Sequence, residues 1–148
     1  QVHEKFTLED ILSVRRSFGI DKENENGMLY VHWECKPEVL QEADFYGSTT
    51  QIRNDIAHRV QRGDLEKAFI ASECELTSNM IEEFPTVEFA TACSIRCSHM
   101  AQISIDKILP IVEAIDSGAN LSDWEVTLPD DVITRAAKPI EKMLSFNS

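Results

Sequence analysis

Four short polar signatures carry the residues able to do chemistry in this chain: Val2-His3-Glu4, Val31-His32-Trp33-Glu34, Gly47-Ser48-Thr49 and Cys97-Ser98-His99-Met100. His32 and Glu34 set an imidazole and a carboxylate two residues apart. A strand's period of two turns both to one side, with Trp33 facing the other way. Such a pair suits proton transfer on a bound substrate. The plainer alternative is a loop histidine and a surface glutamate satisfied by water or backbone. Gly47 lets the backbone approach a ligand closely. The hydroxyls of Ser48 and Thr49, with the N–H groups of a helix start, can hold a carboxylate or phosphate. The same residues suit ordinary N-capping, and the two uses are compatible. Cys97, beside Arg96, is by itself a poor metal site, though a lone thiolate can serve as one ligand of a shared iron–sulfur cluster, the guanidinium favouring the thiolate. A zinc site from Cys93, Cys97 and His99 is the alternative, although the spacing matches no common zinc pattern. Cys35, Cys74 and Cys93 read as small packing residues.

The elements that must position these groups are legible in the patterning. Thr7-Leu8-Glu9-Asp10 has the form of a capping box, ahead of a helix with Ile11, Leu12, Val14 and Phe18 that stops at Gly19. A polar loop over 21–27 leads into a short apolar strand over 28–32. Pro37-Glu38 opens a brief helix, 45–47 is a strand end, and Thr49 or Thr50 begins a helix with Ile52, Ile56 and Val60 that Gly63 closes. Residues 68–71 and 87–90 read as strands, with a helix between them whose start is marked by Thr77. Ile103, Ile108, Ile111 and Val112 mark a helix ending near Ser117-Gly118. Trp124 to Leu128 is expected to be a short strand, and Asp130 to Leu144 a terminal helix that Pro139 should kink or interrupt. Strands alternating with helices imply an α/β fold with a parallel sheet covered on both sides.

The bulk composition narrows the classes. The 148 residues are one domain's worth and can bury a core without staples. With 43% hydrophobic and 27% charged residues the chain reads as globular. A formal net charge of −12 argues against a general nucleic-acid binder, since a phosphate backbone demands a basic face. An anionic ligand would need local positive potential from a helix start or a metal. No apolar run approaches membrane-spanning length. The four cysteines form no C-x-x-C pair, and the expectation is an intracellular, reduced protein. The chain opens on Gln1 directly into patterned sequence, as a portion of a longer protein would.

Taken in order, the signatures closely resemble the C-terminal half of the quinolinate synthase family. His32-Trp33-Glu34-Cys35-Lys36-Pro37-Glu38-Val39 is similar to its H-P-E-C-x-P-E-V, and 43–51 to its A-D-x-x-G-S-T-S-Q. Cys97-Ser98-His99-Met100 with Ile103 and Ile105 resembles its C-x-x-M-x-x-x-T-L, and Ile140 to Leu144 its closing I-x-R-M-L. The resemblance spans essentially the whole chain, with one insertion at 21–27. It implies three similar αβα units related by approximate threefold symmetry. Residues 1–32 would end one unit, 33–118 form a complete one, and 119–148 make a C-terminal strand and helix. The implied reaction condenses iminoaspartate with dihydroxyacetone phosphate to quinolinate, in NAD biosynthesis, on a [4Fe-4S] cluster held by three cysteines. One iron then remains free as a Lewis acid. Carried over, Cys97 is the last of those ligands, His32 and Glu34 are the acid/base and substrate-contacting pair, and Ser48 and Thr49 hold a substrate anion. The implied protein is cytoplasmic, with no nucleic-acid or membrane partner. Its other ligands would come from an N-terminal half, so this segment alone should be inactive. Trp33 departs from the family's proline, and Cys93 lies four residues before Cys97, farther than the extra cysteines of some members. A catalytically dead binding or scaffold module, or an unrelated α/β ligand-binding domain with a structural zinc, are the competing readings.

Overall fold

The computed structural model describes residues 2–22, 26–91 and 95–146. The chain divides into two compact units, Gln1–Gln102 and Ile103–Ser148.

In the first unit, a short 3-10 turn over His3–Lys5 precedes helix α1 (Leu8–Phe18). The anticipated capping box is present: the Thr7 hydroxyl accepts from the Asp10 N–H at 3.2 Å, and the Asp10 carboxylate accepts from the Thr7 N–H at 3.0 Å. Gly19 ends the helix at φ 71°, a conformation that costs a residue with a Cβ. Strand β1 (Gly27–His32), helix α2 (Pro37–Leu40), strand β2 (Phe45–Gly47) and helix α3 (Thr49–Arg62) follow. Strand β3 (Lys67–Ala71), helix α4 (Cys74–Glu83) and strand β4 (Glu88–Ala90) complete the sheet unit. The four strands are parallel, in the order β2-β1-β3-β4.

Alternation along the central strands builds two cores. Met28 and Tyr30 of β1 and Ala68 and Ile70 of β3 face Ile52 and Ile56 of α3 and Met80 and Phe84 of α4. Leu29, Val31, Phe69 and Ala71 face the other way, onto Ile11 of α1 and Val39 of α2. All six residues of β1 are buried, as expected for a strand covered on both faces. Each large aliphatic side chain removed from water contributes roughly 1.5–3 kcal/mol.

The helix faces also locate the site. The connection leaving β1 runs through α2 on one face, whereas the connection leaving β3 runs through α4 on the other. β1 and β3 are neighbours whose outgoing chains diverge. A crevice therefore opens beyond their carboxyl ends, the place where open α/β sheets bind ligands.

In the second unit, α5 (Ile105–Asp116) and α6 (Asp130–Leu144) contain no buried residue.

Three expectations need correction. α4 starts at Cys74 rather than Thr77, which is buried inside it; the chain turns directly out of β3 because tertiary contacts hold Ser72 and Glu73. Residues 124–128 form no strand. The Trp124 N–H closes a turn onto the Leu121 carbonyl, and Val126 is 88% exposed. Of the two outcomes expected at Pro139, the interruption does not occur: α6 continues past it to Leu144.

Candidate functional site

His32 ends β1, its Cα in register with Gly47 of β2, while Val31 is in register with Ala71 of β3. His32, Ser48 and Ser72 therefore lie at the carboxyl ends of three adjacent strands. Beyond His32 the chain turns rather than extends, with the Cys35 N–H bonding the His32 carbonyl at 2.9 Å. This corrects the strand geometry expected of Trp33. Its ring lies along that of His32, with centroids 5.8 Å apart, and the turn, not strand alternation, brings Glu34 back to His32.

The Glu34 N–H donates to His32 Nδ1 at 3.3 Å, so that nitrogen is the acceptor and Nε2 carries the proton of the neutral ring. His3 comes to the same place from the opening turn. Its ring stacks on His32 with centroids 3.9 Å apart and planes 8° from parallel. His3 Nδ1 lies 3.0 Å from a Glu34 oxygen and Nε2 lies 3.2 Å from the Ser72 hydroxyl. A carboxylate only accepts, so Nδ1 donates to Glu34, and in the neutral ring Nε2 accepts from Ser72. Burial, and then the neighbouring His3, lower the His32 pKa, opposed by Glu34. The pair thus holds a neutral imidazole beside a carboxylate, one able to donate a hydrogen bond and the other to accept a proton.

Among the described residues, His3, His32 and Glu34 are the group whose metal-ligating atoms come together. Ring lone pairs lie in the ring planes, and two nearly parallel stacked planes cannot converge on one ion. In this arrangement the two rings do not present their lone pairs to a common point.

Ser48 caps α3. Its hydroxyl accepts from the Gln51 N–H at 3.3 Å, and its own N–H donates to the Gln51 side chain at 2.8 Å. The Trp33 N–H donates to the Gly47 carbonyl at 3.0 Å, tying this helix start to the histidine-bearing turn. The Ser48 side chain is thus engaged as a cap, and the exposed Thr49 is the more accessible of the two hydroxyl residues.

Cys97 has a free, half-buried thiol. Its N–H donates to a carboxylate oxygen of Glu73 at 2.6 Å. Glu73 follows Ser72 and is itself buried. Burial and the neighbouring Glu75 carboxyl push Glu73 up, while hydrogen bonds from Glu73 and Arg96 hold Glu75 well below the usual carboxylate range. Arg96, the residue before Cys97, pairs with Glu75. Cys93 lies outside the described residues, and Cys97 and His99 join no group of three ligands among those described.

The other cysteines differ. Cys35 is packed among Val31 and Val39, and burial pushes its thiol up to about 11. Cys74 is buried and disulfide-bonded, at odds with an entirely reduced chain; no C-x-x-C spacing signalled it.

Sequence reasoning assigned no role to Ser72 or Glu73 and left His3 without one. The signal for the first two was their place directly after the strand expected over 68–71. A cavity of about 410 Å³ lies elsewhere, lined by Gly27 and Met28 at the start of β1 with Arg59, Arg62 and Asp64. Its Arg62 and Asp64 pair with each other, and it holds neither imidazole nor thiol, so it does not compete as the chemical centre.

The family model described as quinolinate synthetase A protein matches residues 1–145. The chain is 34% identical over 146 residues to quinolinate synthase 1 of Mesorhizobium japonicum, covering 97% of this chain and 39% of that protein. It is 30% identical over 147 residues to the quinolinate synthase of Xylella fastidiosa (99% and 38%), and 31% identical over 146 residues to that of Agrobacterium fabrum (99% and 37%). The chain thus spans about two fifths of the length of these relatives. With the sheet, the crevice and a match over nearly its full length, the chain belongs to the quinolinate synthase family.

Proposed function

We propose that this chain is the C-terminal portion of a quinolinate synthase, which condenses iminoaspartate with dihydroxyacetone phosphate to quinolinate. The observation that carries this reading is the convergence of His32, Glu34, His3 and Ser72 at the crevice between β1 and β3.

Glu34, whose side chain is half exposed, is the base that takes a proton from substrate. Glu34, once protonated, returns that proton to a departing hydroxyl, while His32, neutral and protonated on Nε2, donates a hydrogen bond that orients the substrate. His3 orients the carboxylate through Nδ1 and is itself fixed by Ser72. The start of α3, with Thr49 exposed, holds a substrate carboxylate or phosphate by its positive end. Among the described cysteines, Cys97 is the thiol that fits a shared cluster, being free and half-buried, whereas Cys35 is buried with a raised pKa and Cys74 is bonded. When bound, a [4Fe-4S] cluster supplies a Lewis acid through the iron not held by protein sulfur. The remaining cysteine ligands, and the cover for the exposed apolar residues of α5 and α6, belong to the N-terminal half of the protein. The isolated segment is therefore inactive. No described helix is long and apolar enough to cross a membrane, and the reading places the enzyme in the cytoplasm.

The test is anaerobic iron–sulfur reconstitution of the complete protein, with quinolinate formation as the assay. Visible cluster absorption should vanish in Cys97→Ala. Glu34→Gln should keep the cluster yet lose activity by about 100-fold or more, the scale of a positioned acid or base. Stoichiometric zinc in place of iron, or wild-type turnover in Glu34→Gln, would refute the assignment.

A further inference from the structure

Glu73 is a buried carboxyl at the edge of a chemical site, and the reaction just described does not use it. It immediately follows Ser72, whose hydroxyl bonds His3, and its carboxylate oxygen accepts from the Cys97 N–H at 2.6 Å. One dipeptide leaving β3 therefore touches the histidine–glutamate cluster through its first residue and the cysteine loop through its second. A second link joins the same two segments, where Arg96 pairs with Glu75. The two links differ in setting. Arg96 is largely exposed and Glu75 half exposed, and an ion pair open to solvent contributes little. Glu73 is 8% exposed, and a hydrogen bond donated by a main-chain N–H to its buried carboxyl acts on the cysteine's backbone itself. Glu73, anchored at the end of β3, carries the geometry of the sheet to residue 97.

We propose that Glu73 is a positioning residue, whose buried carboxyl clamps the Cys97 main chain and sets where that thiol sits relative to the ends of β1 and β3. The proposal rests on the reading of Cys97 as a cluster ligand. The clamp needs an acceptor oxygen rather than a charge, so glutamine can replace glutamate whereas alanine cannot.

Amide hydrogen exchange of the Cys97 N–H in the full chain, followed by NMR, tests the clamp directly. In Glu73→Ala it should speed up about tenfold, with the amides of Leu29 and Ile70 unchanged; in Glu73→Gln it should stay within about twofold of wild type. No change in Glu73→Ala, an acceleration that spreads equally to Leu29 and Ile70, or a Glu73→Gln variant as fast as Glu73→Ala would each overturn it. In the complete protein, chelator-driven loss of cluster absorption should be faster in Glu73→Ala and like wild type in Glu73→Gln. Equal loss rates in all three would show that the clamp does not serve the cluster. A wild-type protein that takes up no cluster defeats the functional reading instead, while the exchange rates still decide whether Glu73 holds the loop.

Discussion

His32 shows how one side chain acquires its chemistry from its neighbours. The Glu34 N–H fixes its tautomer, the stacked His3 ring disfavours a second positive charge, and burial removes the water that would stabilise the first. The folded ring thus holds its proton less tightly than the ordinary value of 6.5. The unfolded chain takes up that proton first as pH falls, so this group costs nothing above that value and destabilises the fold progressively below it. Urea midpoints should decline as pH falls from about 6.5 toward the folded pKa, and this part of the decline should disappear in His32→Asn. An NMR titration of the His32 ring should show a midpoint below 6.5, rising in His3→Gln without fully recovering because burial is the larger cause. A midpoint at or above 6.5 in the wild type would contradict the environment described here.

The start of α3 depends on a glycine for space rather than for an unusual backbone angle. A Cβ on Gly47 would meet the Gln51 Cβ and Oε1 at 3.0 Å and the Phe45 ring at 3.2 Å. Gln51 is the residue that completes the capping box with Ser48. Gly47→Ala should therefore break the cap and disturb Ser48 and Thr49 together, at a cost of about 1–2 kcal/mol in the urea midpoint. Ser48→Ala, which leaves the space intact, should cost about 1 kcal/mol. A Gly47→Ala variant as stable as wild type would show that the crowding is relieved elsewhere. α4 teaches the opposite lesson. Thr77 is the residue type that caps helices, yet the helix begins at Cys74, because Ser72 and Glu73 are held by His3 and Cys97 from distant parts of the chain.

The two units of the chain differ in how their apolar residues are used. The sheet unit buries its own in two cores, whereas Ile105 is 79% and Ile115 59% exposed in α5, and none of α6 is buried. Exposed apolar surface of this kind binds a hydrophobic dye. Removing residues 103–148 should eliminate most of the dye fluorescence of the chain, and adding the N-terminal portion of the protein should lower it likewise. Undiminished fluorescence after the truncation would place the sticky surface on the sheet unit instead.

Local rules were enough for much of this protein. The Thr7–Asp10 capping box, the Ile52-Ile56-Val60 stripe, Gly19 and Gly63, and the continuous apolar run of β1 are short-range signals, and each element stands where its own residues place it. The ordered signatures at 32–39, 43–51 and 97–100 likewise carried the family. Only the folded chain decided that His3 stacks on His32, 29 positions along, that Ser72 and Glu73 belong beside them, and that residues 124–128 form no strand. Those outcomes depend on which segments meet in space, and a parallel crossover brings together residues whose separation in sequence leaves no periodic trace.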